Sequence, residues 1–238
     1  MSYTYTISPQ IFERYPGYVR GVVLAHDVRN SPTPPALVSE LRAAEEALRA
    51  QLTLEQVAEH PRLKAWREAF RAFGAKPTEF RPSIEALARR VLRGEPLPVI
   101  NTLVDIGNII SLRHLLPAGA HAIDRLEADL ALRFATGSET FVPFGTDLLE
   151  HPQPGEVIFA EGEVVITRRW AWRQANRTLT LPETTAVEFN VDGLPPATPA
   201  EVEQTCEETA ALIRQYCGGQ VRWQILSAQT PNLSLAAA

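Results

Sequence analysis

Residues 97–125 read LPVINTLVDIGNIISLRHLLPAGAHAIDR, and this stretch divides the chain. Its first part predicts a helix over residues 101–116, stopped by Pro117, whose ring cannot continue the turn. Upstream, apolar residues recur every three or four positions. Leu37, Leu41, Ala44 and Leu48 mark a helix over residues 36–50. Leu63, Trp66, Ala69, Phe70 and Phe73 mark a second, closed by Gly74. Residues 83–92 form a third, with Pro82 before its first turn and Gly94 after its end. Residues 3–7 alternate Tyr and Thr as a strand, residues 17–26 form a more buried strand, and NSPTPP at 30–35 is a loop. Beyond Pro117 come short β-branched and aromatic runs at 130–136, 156–160, 163–167, 178–181 and 185–191, with Glu161-Gly162 as a tight hairpin. Residues 199–217 return to helical spacing and 221–226 make a last strand. With no repeat and no long linker, the expectation is α+β: one interleaved domain over residues 1–238, with mixed or antiparallel sheets and packed helices.

The total charge, 23 Lys+Arg against 28 Asp+Glu, argues against a nucleic-acid partner only as an average. All the cations except Lys64 and Lys76 are Arg. Residues 164–182 carry four Arg and no acid, residues 81–93 four Arg and one Glu, and residues 198–209 four Glu and no base. An acidic chain can therefore present a basic face. The N-terminus lacks the basic head and apolar core of a signal peptide, and no run approaches the ~18 apolar residues of a membrane span, so a cytoplasmic, membrane-free protein is expected.

Phosphate loops, dinucleotide glycine patterns and a nucleophile elbow are absent. The five His are scattered, and Cys206 and Cys217 read as buried core thiols on one helix. No metal and no cofactor is expected. What remains is a polar stripe on the 101–116 helix, where Asn101, Asp105, Asn108 and Ser111 fall on one side. The stripe reads either as caps and clamps fastening the helix to a loop, or as a hydrogen-bonding wall for a small polar ligand.

LPVINTLVDIGN followed by HAID resembles the editing domain, the B3/B4 module, of the phenylalanyl-tRNA synthetase beta subunit. FRAFGAKP at 70–77, RPSIEALARR at 81–90 and TRRWAWRQ at 167–174 are similar to free-standing proteins built from that module. The resemblance spans about residues 15–191, with the helix and strand of 199–226 taken as part of the same fold. It implies a trans-acting aminoacyl-tRNA deacylase that hydrolyses the ester at the tRNA 3′ end, with tRNA, and in some settings a synthetase, as partner and no DNA. By the resemblance, His121 and Asn108 are catalytic, and Gly107 stands where the family carries Thr. Glu188 matches a Glu that selects the amino-acid side chain, and the amino-acid preference should differ from removal of tyrosine.

Beside the resemblance, the residues themselves admit these roles. An aminoacyl ester is labile, so positioning water and stabilising an oxyanion suffice without a triad or a metal. His121, with an ordinary pKa near 6.5, suits a general base, or is a loop histidine bonded to Asp124 or to backbone. Asn101, Asp105 and Glu188 are candidate substrate-binding groups, against the readings of helix clamps and an exposed strand residue. Arg81, Arg89, Arg90, Arg168, Arg169 and Arg173 are candidates for tRNA phosphates, and Trp170 and Trp172 for stacking a terminal base. The competing reading is a strand with both Trp in the core and Arg outside. The alternative function is a non-catalytic module that binds an amino acid, aminoacyl-tRNA or a synthetase.

Overall fold

The computed structural model describes residues 3–237. In chain order the elements are β1 (Thr4–Ile7), α1 (Pro9–Arg14), β2 (Val19–His26), α2 (Pro35–Gln51), α3 (Pro61–Ala72), α4 (Ser83–Leu92) and α5 (Thr102–His114). Then follow β3 (Ala118–Ala122), β4 (Leu130–Phe134), β5 (Val157–Glu161), β6 (Val164–Arg168), β7 (Arg173–Gln174), β8 (Ala186–Gly193), α6 (Pro199–Tyr216), β9 (Gln220–Leu226) and β10 (Asn232–Ser234). The fold is α+β, as expected. One sheet has the order β3-β8-β2-β9 and is antiparallel throughout. The other has the order β10-β1-β4-β5-β6-β7 and is mixed, because β1 and β4 run parallel.

The four-stranded sheet has two unlike faces. On β2 and β8 the residues Gly21, Val23, Val187, Phe189 and Val191 share one face by register. There α6 lies so close that a Cβ on Gly21 would fall 2.1 Å from Cys206 Sγ, so only glycine fits. Cys206 and Cys217 are free and buried, as expected. The opposite face carries Arg20, Glu188, Asn190 and Asp192, all buried and turned toward the six-stranded sheet. Tyr5 of β1 joins the layers: its hydroxyl donates to Asn190 Oδ1 at 2.8 Å, and its ring stacks on Phe159 of β5 at 4.9 Å.

Most boundaries fall where the sequence places them, with α4 matching residue for residue. Two regions differ. Residues 178–181 are not a strand, because side chains from elsewhere claim their carbonyls: Gln174 Nε2 takes Thr178 O, Asn101 Nδ2 takes Thr180 O, and Asn30 Nδ2 takes Leu181 O. Residues 167–174 are not one continuous strand either. Arg169 and Trp170 adopt positive φ (48° and 63°), which breaks the ladder into a turn between β6 and β7. α1, β3, β7 and β10 are additional to the elements expected.

Candidate functional site

A cavity of about 350 Å³ opens at the free edge of β3. Its walls come from α4 (Ala86), α5 (Val104, Gly107, Asn108), β3 (Gly119, Ala120, His121), the inter-sheet residues Arg20, Asn190, Asp192 and Phe159, and Thr167 with residues 170–174. This places it between the helical layer and the polar face of the four-stranded sheet.

His121 is the most constrained group in it. Nδ1 lies 2.7 Å from Thr178 Oγ1 and 3.2 Å from Gln174 Nε2, and Nε2 lies 3.1 Å from Thr167 Oγ1. Gln174 Nε2 also donates to the carbonyls of Ala120 (3.1 Å) and Thr178 (2.9 Å), which fixes its amide nitrogen on this side. Those carbonyls take both protons of the amide, so His121 Nδ1 pairs with Thr178 Oγ1 and Nε2 with Thr167 Oγ1. Burial, helped by the Arg20 charge, pushes the His121 pKa down to about 3, so the ring is neutral. The ordinary value near 6.5 does not hold here, and a base this weak is a poor proton acceptor at neutral pH.

Behind His121 runs a chain of buried polar groups. Arg20 donates to both oxygens of Asp192, from Nε at 2.6 Å and Nη2 at 3.0 Å, and Nη1 donates to the Tyr5 hydroxyl. Tyr18 donates to Asp192 at 2.5 Å. Asn190 Nδ2 donates to Glu188 Oε1 at 3.0 Å, whereas Glu188 Oε2 is buried without a partner. Glu188 pairs across the ladder with His121, and its burial pushes its pKa up to about 8, which keeps it protonated at neutral pH. It is therefore a buried acid behind the cavity wall rather than an exposed strand residue.

The helical stripe splits. Asn101 caps α5, accepting from Val104 N at 3.0 Å. Asp105 accepts from Thr33 Oγ1 at 2.5 Å and from Ile100 N, and burial raises its pKa. Ser111 donates to Ala118 O and accepts from Ala118 N, both at 3.2 Å. These three fasten the helix, which corrects the substrate-binding expectation for Asn101 and Asp105; neither lines the cavity. Asn108 does.

The arginines also separate. Arg168 is 4% exposed and donates to Glu156 through Nε and Nη2 (2.9 and 2.8 Å) and to Glu150 through Nη1 (2.7 Å). Arg169 is buried between the rings of Phe80 (3.6 Å) and Trp172 (4.4 Å). Arg89 is held by Glu85, which also takes Arg67. Trp170 is a core residue, edge-on to Tyr15, Tyr18 and Trp66. A phosphate contact from Arg168, Arg169 or Arg89 would require dismantling these contacts, so the geometry corrects those three expectations, whereas Trp170, though packed in the core, also lines the cavity. Arg173 and Trp172 line the cavity, and Arg81 and Arg90 are exposed. Arg20, Asn190, Asp192, Thr167, Thr178 and Gln174 carried no assigned role in the sequence reading. The polar alternation of Glu188, Asn190 and Asp192 in a buried strand, opposite a lone Arg20, is the signal that marks three of the wall groups and the acid behind them.

Among the described residues, no group of three or more His, Cys, Asp or Glu could hold a metal ion, and no helix is long and apolar enough to cross a membrane. No curated protein matches the sequence. Among solved structures, the crystal structure of an N-terminal fragment of the phenylalanyl-tRNA synthetase beta-subunit from Pyrococcus horikoshii is similar at 11% identity and a TM-score of 0.45. The similarity covers 92% of this chain and 49% of that one, so this chain spans about half the length of the fragment. The family model of the B3/4 domain matches residues 65–218, and the chain belongs to that family.

Proposed function

We propose that the protein hydrolyses the ester of an aminoacyl-tRNA, taking the 3′-terminal aminoacyl group into the cavity at the β3 edge. The observation that carries this reading is that cavity itself. About 350 Å³ suits an aminoacyl group, and the walls combine Asn108, Thr167 and the Arg20–Asp192 pair with apolar and aromatic surface. Membership of the B3/4 family agrees with it. Such an ester needs no activated side-chain nucleophile. Neutral His121 orients the Thr167 hydroxyl, which with Asn108 can hold a water against the carbonyl carbon, and Trp172 and Arg173 border the cavity where the terminal nucleotide would enter.

A second reading has one specific observation in its favour. Both His121 nitrogens are already hydrogen-bonded within the protein. That arrangement also fits a module that holds an aminoacyl-tRNA, or a synthetase carrying one, without cleaving it. Incubation of the purified protein with a panel of mischarged tRNAs separates the two. Release of labelled amino acid above buffer hydrolysis supports the deacylase. Gel-shift binding without release supports the module, and neither binding nor release refutes both.

A further inference from the structure

Gly119 occupies the middle of β3, a place where glycine weakens a strand. Three causes account for an interior strand glycine: a bulge, the close approach of another part of the chain, or the close approach of a ligand. The β3–β8 register runs unbroken from Ala118↔Val191 to Ala122↔Val187, so there is no bulge. A Cβ on Gly119 would meet no atom within 4 Å, and the residue is not among the positive-φ glycines. No protein atom demands the gap. It opens into the cavity beside His121 and Asn190.

The adjacent backbone supplies a matching donor. Asp192 N donates to Pro117 O (3.0 Å) and Ile123 N to Ala186 O (2.9 Å), which fixes the ladder parity. Gly119 and His121 therefore bond to β8, while Ala118, Ala120 and Ala122 turn their peptide groups to the free edge. There Ser111 satisfies both groups of Ala118, Gln174 takes Ala120 O, and Ala122 N donates to Thr178 O. Among the described residues the Ala120 N–H has no partner, and Ala120 lines the cavity.

We infer that the Ala120 N–H is the donor for the carbonyl oxygen of the bound aminoacyl ester, and that Gly119 is glycine so that this oxygen can reach it. The inference rests on the deacylase reading and names a further catalytic group within it. A water oxygen bonds to the carbonyl carbon, and the π pair moves to the oxygen facing Ala120 N–H. Collapse then breaks the bond to the ribose oxygen, which takes the proton that water gave up. The products are the free amino acid and tRNA with its terminal hydroxyl. Because a backbone N–H needs no reorientation as charge develops, it stabilises this oxyanion more than the ground-state carbonyl.

The test uses the full chain, a set of amide-linked 3′-aminoacyl-adenosines carrying the twenty amino acids, and the variants Gly119→Ala and Gly119→Val. Both variants should melt at or above the wild-type temperature, since the added carbons enter open space on a strand. Gly119→Val should lower single-turnover deacylation about a hundredfold, the scale of one lost oxyanion donor, with Gly119→Ala between it and wild type. In wild type, the amide resonance of Ala120 should move on binding of the preferred analogue. Wild-type cleavage by Gly119→Val, or an unmoved Ala120 amide with the analogue bound, overturns this inference and leaves the deacylase reading standing. A wild-type protein that binds no analogue and cleaves no aminoacyl-tRNA overturns both.

Discussion

Of the buried charge clusters, the two that flank the turn at Arg169 and the cavity, one in each sheet, are built on different terms. In the six-stranded sheet, Arg168 spends three nitrogens on Glu156 and Glu150, and Glu156 also accepts from the backbone of Arg169 and Gln153. That cluster holds the positive-φ turn at Arg169 and Trp170. In the four-stranded sheet, Arg20 and Asp192 are equally well matched, but the groups beside them are not. Among the described residues Glu188 Oε2 and the Ala120 N–H have no partner and Asn108 lines the cavity, whereas in the first cluster Arg169 Nη1, which also lacks one, belongs to a guanidinium stacked between Phe80 and Trp172. Burial of charge does not by itself mark a working site. Hydrogen-bonding capacity left unspent beside a cavity does.

The largest effect should come from breaking the closed cluster. Arg168→Ala leaves Glu156 buried without its main partner, and the expected cost is about 3–5 kcal/mol by urea denaturation. Deacylation per folded molecule should stay near wild type, since Arg168 does not reach the cavity. A stable Arg168→Ala protein with lost activity would reverse the assignment of the two clusters. In the open region the pattern inverts. Asn108→Ala should lower the unfolding free energy by no more than about 1 kcal/mol, because Asn108 is half-buried and Asp105, which it hydrogen-bonds, keeps Thr33 and Ile100 N as partners. Single-turnover deacylation should fall about tenfold to a hundredfold as one polar contact to water or substrate is lost. Unchanged turnover would remove Asn108 from the site.

The difference between the clusters also explains what could be read in the sequence. Helix limits were legible because their signals are local: Pro82 and Gly94 bracket α4, and Asn101 caps α5. β3 was not, since Ala-Gly-Ala has weak strand preference and its place is fixed by pairing with β8 from 65 to 73 residues away. The stripe on α5 was visible as polar spacing, but spacing cannot say which groups fasten and which face a ligand. That depends on Thr33, Thr180 and Ala118 arriving from other elements. TRRWAWRQ read as a possible strand because alternation is a strand signal, and the left-handed turn at Arg169 leaves no trace in composition. His121 was found, while its neutral state was not: its pKa is set by burial and by Arg20, 101 residues away.

A smaller effect probes Glu188, the unspent carboxyl. Its folded pKa of about 8 stands above the ordinary 4.5, so the folded state holds an extra proton between those values. Its contribution to stability is full below about pH 4.5 and is lost as pH rises through 8. Glu188→Gln lacks this titration. The stability of wild type relative to the variant should therefore fall from about pH 6.5 to 8, by at most about 1.4 kcal/mol per pH unit, and level off above 9. Working above pH 6.5 avoids the opposite contribution of His121, whose depressed pKa removes stability only as pH falls below its ordinary value. A pH-independent difference over this range would mean that Glu188 carries no shifted titration in the folded state and would erase the contrast between the clusters.

The smallest effect concerns cations outside both clusters. Arg81 and Arg90 are exposed, and Arg81 precedes the cavity-lining Ser83 by two residues. If either neutralises a phosphate of a bound tRNA end, replacing it by Ala should reduce the slope of log affinity against log salt by about 0.7, the value for one contact to a single strand. Between 50 and 200 mM salt that amounts to about a threefold change in the ratio of affinities. Arg168→Ala should leave the slope unaltered, because its charge is already matched by Glu156 and Glu150. Filter binding over a salt series with the three variants measures this directly. A slope altered by Arg168→Ala and not by Arg81→Ala or Arg90→Ala would mean that the closed cluster opens to meet RNA, and that it too is part of the site.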